Sequence, residues 1–215
     1  TAALEERSAV LHPGCRFPPR VPRSPARAPG VPPLIFWNHR WEFDKDPDAF
    51  FRVLYRLQDK GIEFRVALLG ENFQFVPKAF LEARERLGER VVQYGYAADR
   101  SEYLGWLARG DVVVSTAIQE NFGIAVVEAI RLGCAPLLPA RLSYPELIPE
   151  RLHERCLYHG EEDLALRLAA RLRDPAPADP AFAEAMGRFS WESQIEAYDA
   201  ELERLAARRS AAASD

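Results

Sequence analysis

Between Ser115 and Leu138 the chain sets two carboxylates, Glu120 and Glu128, into a run whose only other charge is Arg131. Carboxylates accept hydrogen bonds and donate none, so two that face one ligand suit sugar or ribose hydroxyls. Asn121, Phe122, Gly123 and Ile124 follow Glu120. Gly123 has no Cβ to keep a diphosphate or a sugar away from the backbone. Taken one at a time, the acids have plainer readings: Glu120 favours a helix dipole, and Glu128 is a solvated helix residue. A pair of cations, Arg40 and Lys45, lies upstream just after the apolar run Leu34-Ile35-Phe36-Trp37; its plain reading is surface pairing with Glu42 and Asp44.

These residues need elements to hold them. Val112-Val113-Val114 is short, β-branched and bounded by Gly110-Asp111 and Ser115-Thr116, which predicts a strand covered on both faces. Ile124 to Leu132 has helical spacing and stops at Gly133, after which Ala135 to Leu138 restarts a strand. In a doubly wound sheet, ligands sit beyond the carboxyl ends of the strands, beside helix N-termini with free amides. Residues Asn121 to Ile124 occupy that place.

The same alternation runs through the chain. Strands are expected at Leu34–Trp37, Phe64–Leu69, Val91–Tyr94, Val112–Val114, Ala135–Leu138 and Cys156–Tyr158. Helices are expected at Pro47–Lys60, Val76–Leu87 and Ser101–Arg109 between them, and at Glu161–Leu172 and Pro180–Arg209 after them, with a loop through Tyr144 to Leu147. The fold class is therefore α/β, a Rossmann-like doubly wound parallel sheet of about six strands with C-terminal helices. Residues 1–32, where Arg16, Arg20, Arg23 and Arg27 alternate with prolines, read as an extended linker rather than packed structure, or as a basic strap for RNA. Residues 33–175 form the expected nucleotide-sugar-binding domain, and 176–215 the C-terminal helices and tail.

The paired acids, eight residues apart, resemble the Glu-x7-Glu signature of retaining glycosyltransferases of the GT-B fold, family 4. That family carries an Arg and a Lys five residues apart after its first C-domain strand, and Arg40 and Lys45 keep that spacing. The segment Trp37-Asn38-His39-Arg40-Trp41-Glu42-Phe43-Asp44-Lys45-Asp46-Pro47 is similar to the hallmark of one branch, the tRNA-queuosine mannosyltransferases. The likeness extends over roughly Pro33 to Ala206, through Leu68 to Glu71, Gln93 to Tyr96 and Arg188 to Glu192.

The resemblance implies a donor-binding half of a two-domain enzyme that transfers mannose from GDP-mannose to queuosine in tRNA. It implies that Arg40 and Lys45 clamp the diphosphate and that Glu120 orients the sugar. Glu128 would then hold the ribose, and Gly70 and Tyr96 would help form the nucleotide pocket. Tyr96 is equally readable as loop packing. His39 is a weak candidate for phosphate contact, since a histidine ending a strand more often bonds backbone. The chain opens at Thr1, not Met. The acceptor half, expected to hold most of the tRNA, is read as missing.

Composition sets bounds. The 215 residues suffice for one sizeable α/β core. A net charge of −4 excludes a nucleic-acid binder that works through bulk electrostatics. Cys15, Cys134 and Cys156 have no metal-ligand spacing and suit a reduced, cytoplasmic setting; no run has the roughly twenty apolar residues of a membrane span. Asp44-Lys45-Asp46-Pro47-Asp48 fails as a calcium loop because Ala49 and Tyr55 stand where the turn glycine and closing Glu belong, so Asp46 is expected to cap a helix. No metal and no cofactor is expected. A nicotinamide dehydrogenase or an NTPase lacks its glycine-rich loop here. A non-catalytic nucleotide-sugar module, or a family 4 enzyme with another donor or acceptor, stays open.

Overall fold

The computed structural model describes residues 8–18, 27–71 and 76–212, with side chains as far as residue 207. In chain order they form β1 (Leu34–Trp37), α1 (Pro47–Asp59), β2 (Arg65–Leu69), α2 (Lys78–Leu87), β3 (Val91–Gly95) and α3 (Arg100–Leu107). Next come β4 (Val112–Val114), α4 (Ile124–Arg131), β5 (Ala135–Pro139), the single turns α5 (Tyr144–Leu147) and α6 (His153–Cys156), and β6 (Leu157–Tyr158). The chain closes with α7 (Gly160–Arg173), α8 (Pro180–Met186) and α9 (Trp191–Ala212).

Every strand pairing is parallel, in the order β3-β2-β1-β4-β5-β6. This is the expected doubly wound sheet, and its strand order reverses between β1 and β4. Side chains alternate across it. In β1, Leu34 and Phe36 join a core with Leu107 of α3, Val127 of α4 and Phe182 of α8. Ile35 and Trp37 point the other way, among Phe50 of α1, Phe80 of α2 and Leu168 of α7. Both faces are dry, which is why the strands read as unbroken apolar runs.

Helix starts follow local chemistry. Asp46 adopts a left-handed conformation (φ 46°), and its carboxylate accepts the Ala49 N–H at 3.1 Å while Pro47 occupies the first turn, the expected cap. Asp99 caps α3 in the same way through the Glu102 N–H at 2.8 Å.

Three expectations need correction. The Tyr144–Leu147 loop is a helical turn, with the Tyr144 hydroxyl 2.6 Å from the Ser115 hydroxyl. The single helix over Pro180–Arg209 breaks after Met186, because Ser190 is extended and its hydroxyl accepts the Ser193 N–H, which starts α9 afresh. The leading segment is not wholly free of the fold. Cys15 is 2% exposed, its N–H bonds the Phe189 carbonyl at 2.6 Å, and its own carbonyl accepts the Trp191 N–H at 3.1 Å. Arg27 pairs with Asp111 at 2.8 Å. Arg20 and Arg23 of the expected basic strap lie outside the described residues.

Gly110, just before β4, sits where a Cβ would overlap the Phe36 ring. Gly110→Ala is expected to lower unfolding free energy by about 1–3 kcal/mol through overpacking, seen as a reduced midpoint in denaturant titration.

Candidate functional site

The loops that leave β1 and β4 are fastened to each other at the point where the strand order reverses. The Asp44 carbonyl accepts the N–H groups of Ile118 and Gln119 at 2.8 and 3.1 Å. The buried Thr116 hydroxyl donates to the carbonyls of Lys45 and Asp46 at 2.8 and 2.9 Å. Between the loops opens a cavity of about 350 Å³, lined by Asn38, His39, Arg40 and Lys45 on one side and residues 120–125 on the other.

Eight of the residues singled out in the sequence meet there: His39, Arg40, Lys45, Glu120, Asn121, Phe122, Gly123 and Ile124. Lys45 is 7% exposed, and its ammonium donates to the Gln119 carbonyl at 2.7 Å, with Glu120 at 3.4 Å and Asp44 at 3.2 Å. Lys45 is thus a buried, fixed cation rather than a surface one. Arg40 is exposed and pairs with Glu42 at 3.0 Å, a contact worth little in water and easily exchanged for a ligand. Gly123 has φ 93°, a left-handed conformation that glycine adopts without strain, and no side chain caps the α4 terminus behind it.

Gly70, Tyr96 and Glu128 do not line that cavity. A Cβ on Gly70 would run into the His39 carbonyl oxygen and the Trp41 ring, so its small size serves the packing of the β2 end against the β1 loop. Tyr96 is 73% exposed, so it is not packed into its loop. Glu128 is no solvated helix residue: it is buried, and Arg100 donates to its carboxylate at 2.8 Å. Tyr103 lies near the same carboxylate, and burial together with that negative charge raises the phenol well above its ordinary range. Asn38 donates to the Tyr103 hydroxyl at 3.2 Å and to the Ala125 carbonyl at 2.7 Å, joining β1 to α4.

Sequence reading missed Asn38, Arg100 and Tyr103. A polar residue directly after an apolar strand was a usable signal for Asn38. Nothing local marks Arg100, which meets Glu128 only in the folded chain.

His39 is 5% exposed and its Nε2 has no partner. Burial, reinforced by the nearby Lys45 charge, lowers its pKa from 6.5 to about 3, against an opposing pull from Asp44 and the Val114 backbone. The imidazole is neutral at pH 7 and cannot serve as a phosphate cation.

A second cavity, about 340 Å³, lies between the starts of α1 and α7, with Arg52, Arg141, Tyr158 and Glu161 in its wall. Among the described residues no group of three or more His, Cys, Asp or Glu is placed to hold a metal ion, and no helix is long and apolar enough to cross a membrane.

The family of Glycosyl transferases group 1 matches residues 23–188. The tRNA-queuosine alpha-mannosyltransferase of Drosophila melanogaster is 41% identical over 116 residues, which cover 54% of this chain and 30% of that enzyme. A GDP-mannose-dependent alpha-(1-6)-phosphatidylinositol dimannoside mannosyltransferase of Mycobacterium tuberculosis is 28% identical over 115 residues, 54% of this chain and 29% of that enzyme. The matched stretch spans less than a third of either relative. A glycosyltransferase from Rickettsia africae shares the fold with a TM-score of 0.69 at 16% identity, covering 92% of this chain and 57% of that one. The six-stranded sheet with its C-terminal helices corresponds to one half of a GT-B fold.

The neutral His39 has a consequence for stability. The unfolded imidazole takes up a proton near pH 6.5 and the folded one only near pH 3, so acid draws the chain toward the unfolded state. Stability is expected to fall as pH drops from about 6.5 toward 3. Denaturant titrations between pH 7 and 5, above most carboxylate titration, are expected to show this slope and to show it flattened in His39→Gln.

Proposed function

The chain belongs to the group 1 glycosyltransferases, and on that premise we propose that it is the donor-binding half of a retaining mannosyltransferase that uses GDP-mannose and acts on queuosine in tRNA. One observation carries the reading: Arg40, Lys45, Glu120 and the uncapped start of α4 line a single cavity at the reversal point between β1 and β4. The choice of mannose is supported by the names of both mannosyltransferase relatives, and that of a guanine nucleotide by the name of the Mycobacterium enzyme. The choice of acceptor is supported by the 41% identity to the Drosophila enzyme.

In this reading the departing group is a nucleoside diphosphate. Arg40 releases Glu42 and takes the phosphates as a fork, Lys45 contributes a fixed charge from below, and the amides at Gly123 and Ile124 complete the cradle. These groups supply the charge stabilisation that a metal ion gives in other transferases. Glu120 accepts from sugar hydroxyls, and Asn121 and Phe122 shape the wall. Glu128 accepts from the ribose once the ligand reaches the edge of its Arg100 pair, with Gly70 and Tyr96 on the side of the base. In a retaining reaction the acceptor hydroxyl enters on the face from which the phosphate leaves, so no nucleophile of the chain is used. With a net charge of −4, the tRNA is assigned mainly to a second domain.

Calorimetry with GDP-mannose, GDP, UDP-glucose and UDP tests the reading. Guanine nucleotides are expected to bind selectively, with about tenfold or greater loss in Arg40→Ala, the scale of one charge-assisted hydrogen bond. Glu128→Gln is expected to weaken GDP by about tenfold while leaving the melting transition cooperative. Selective uracil binding would remove the mannosyl reading and keep the family; equal GDP affinity in Glu128→Gln and wild type would remove the ribose role.

A further inference from the structure

Arg100 stands where a helix disfavours a cation. It is the first residue of α3, at the positive end of the helix dipole, and Asp99 already caps that end. Its guanidinium is half exposed, and a pair between such an arginine and a carboxylate adds little to folding stability. The fold of α3 by itself therefore gives no reason for an arginine at this position.

The hydrogen bonds do. One guanidinium nitrogen, Nη2, donates both to the Glu128 carboxylate at 2.8 Å and to the Arg16 carbonyl at 2.7 Å. Arg16 follows Cys15, whose N–H is held by the Phe189 carbonyl and whose carbonyl is held by the Trp191 N–H. Main chain that is itself locked to the start of α9 therefore anchors the guanidinium. Glu128 needs such an anchor. It lies within α4, is 8% exposed and has three side-chain torsions to fix, and a carboxylate so placed is costly unless a charged partner holds it. Among the described residues, Arg100 is the cation that pairs with it.

Resting on the reading in which Glu128 takes the ribose, we propose that Arg100 is the positioning residue for that contact. It holds the Glu128 carboxylate in the orientation that accepts from the ribose hydroxyls, and the segment before β1 holds Arg100 in turn. Arg100 acts through Glu128 and not on the ligand. The phosphates are left to Arg40 and Lys45, which line the donor cavity as Arg100 does not.

The test is calorimetry with GDP and with 2′,3′-dideoxy-GDP, which keeps the base and the phosphates and lacks both ribose hydroxyls. In wild type, GDP is expected to bind about tenfold more tightly than the dideoxy nucleotide, the scale of one hydrogen bond to a charged group. In Arg100→Ala that ratio is expected to fall to about one through weaker GDP binding alone, and Arg100→Lys, which keeps a charged donor, is expected to recover part of it. Added to Glu128→Gln, Arg100→Ala is expected to cost GDP nothing more, because the two residues act as a unit. A ratio in Arg100→Ala that matches wild type, with both affinities unchanged or both lowered alike, overturns the proposal and leaves the ribose role of Glu128 standing. No discrimination in wild type overturns that role and this proposal with it. No GDP binding overturns the nucleotide reading as well. Should Arg100→Ala not fold, the Arg100 Nε–H signal of wild type is followed by NMR. It is expected to shift with GDP and to stay in place with the dideoxy nucleotide, and the same response to both overturns the proposal.

Discussion

The structure depends on the fastening of the β1 loop to the β4 loop through main-chain groups. β1 and β4 are neighbours in the sheet, with Ile35 opposite Val112, yet they are far apart in the chain. Left alone, the loops at their ends would splay, since a topological reversal sends the chain to opposite faces of the sheet. The Asp44 carbonyl, serving the Ile118 and Gln119 amides, and the Thr116 hydroxyl, serving two carbonyls, hold them together. Because these contacts use main-chain groups and one buried hydroxyl, they fix the loops whatever the exposed side chains do. The buried Lys45 depends on them: removing an ammonium from water is costly, and only the ring of Gln119, Asp44 and Glu120 oxygens makes its place tolerable. Its role is to set a charge in position more than to stabilise the fold.

From that fastening the two carboxylates acquire different tasks. Glu120 remains at the cavity wall, engaged with Lys45. Glu128 lies outside that cavity, held by Arg100 at 2.8 Å and close to Tyr103, which Asn38 reaches at 3.2 Å. The same Arg100 nitrogen donates to the Arg16 carbonyl at 2.7 Å, and the His12 ring stands 5.6 Å from Phe122 and 5.3 Å from Phe189. The segment before β1 is therefore stitched to the site and to the start of α9, where Cys15 bonds the backbone on either side of Ser190. Networks of this kind hold their members in one arrangement, because each buried polar group left alone would be costly.

The reading of the elements from sequence succeeded where burial is two-sided and failed where a single polar atom decides. The runs at Leu34 and Val112 could only be strands between two layers of helices, since such segments cannot meet water on either face. Pro180 to Arg209 looked continuous because its one proline stands at the start. The break was set instead by the Ser190 hydroxyl accepting the Ser193 N–H and by the single backbone bridge between Cys15 and Ser190. Tyr144 to Leu147 looked like a loop because a one-turn helix is too short to show periodicity. Its position is fixed by the contact of Tyr144 with Ser115.

For the site, the sequence by itself determined which residue types occupy the two strand ends: the cations at 40 and 45, the acids at 120 and 128, and the glycine between the acids. Their spacing follows from the period of a strand, a loop and a helix, which is local. Only the tertiary structure decided which of them share a cavity, that Lys45 is buried while Arg40 is free to exchange partners, and that Glu128 belongs to Arg100. It also decided the protonation of His39, because the charge of an imidazole depends on how much water surrounds it and on which charges stand nearby. Solvation and long-range pairing are properties of neighbours in space, and a linear sequence does not state who those neighbours are.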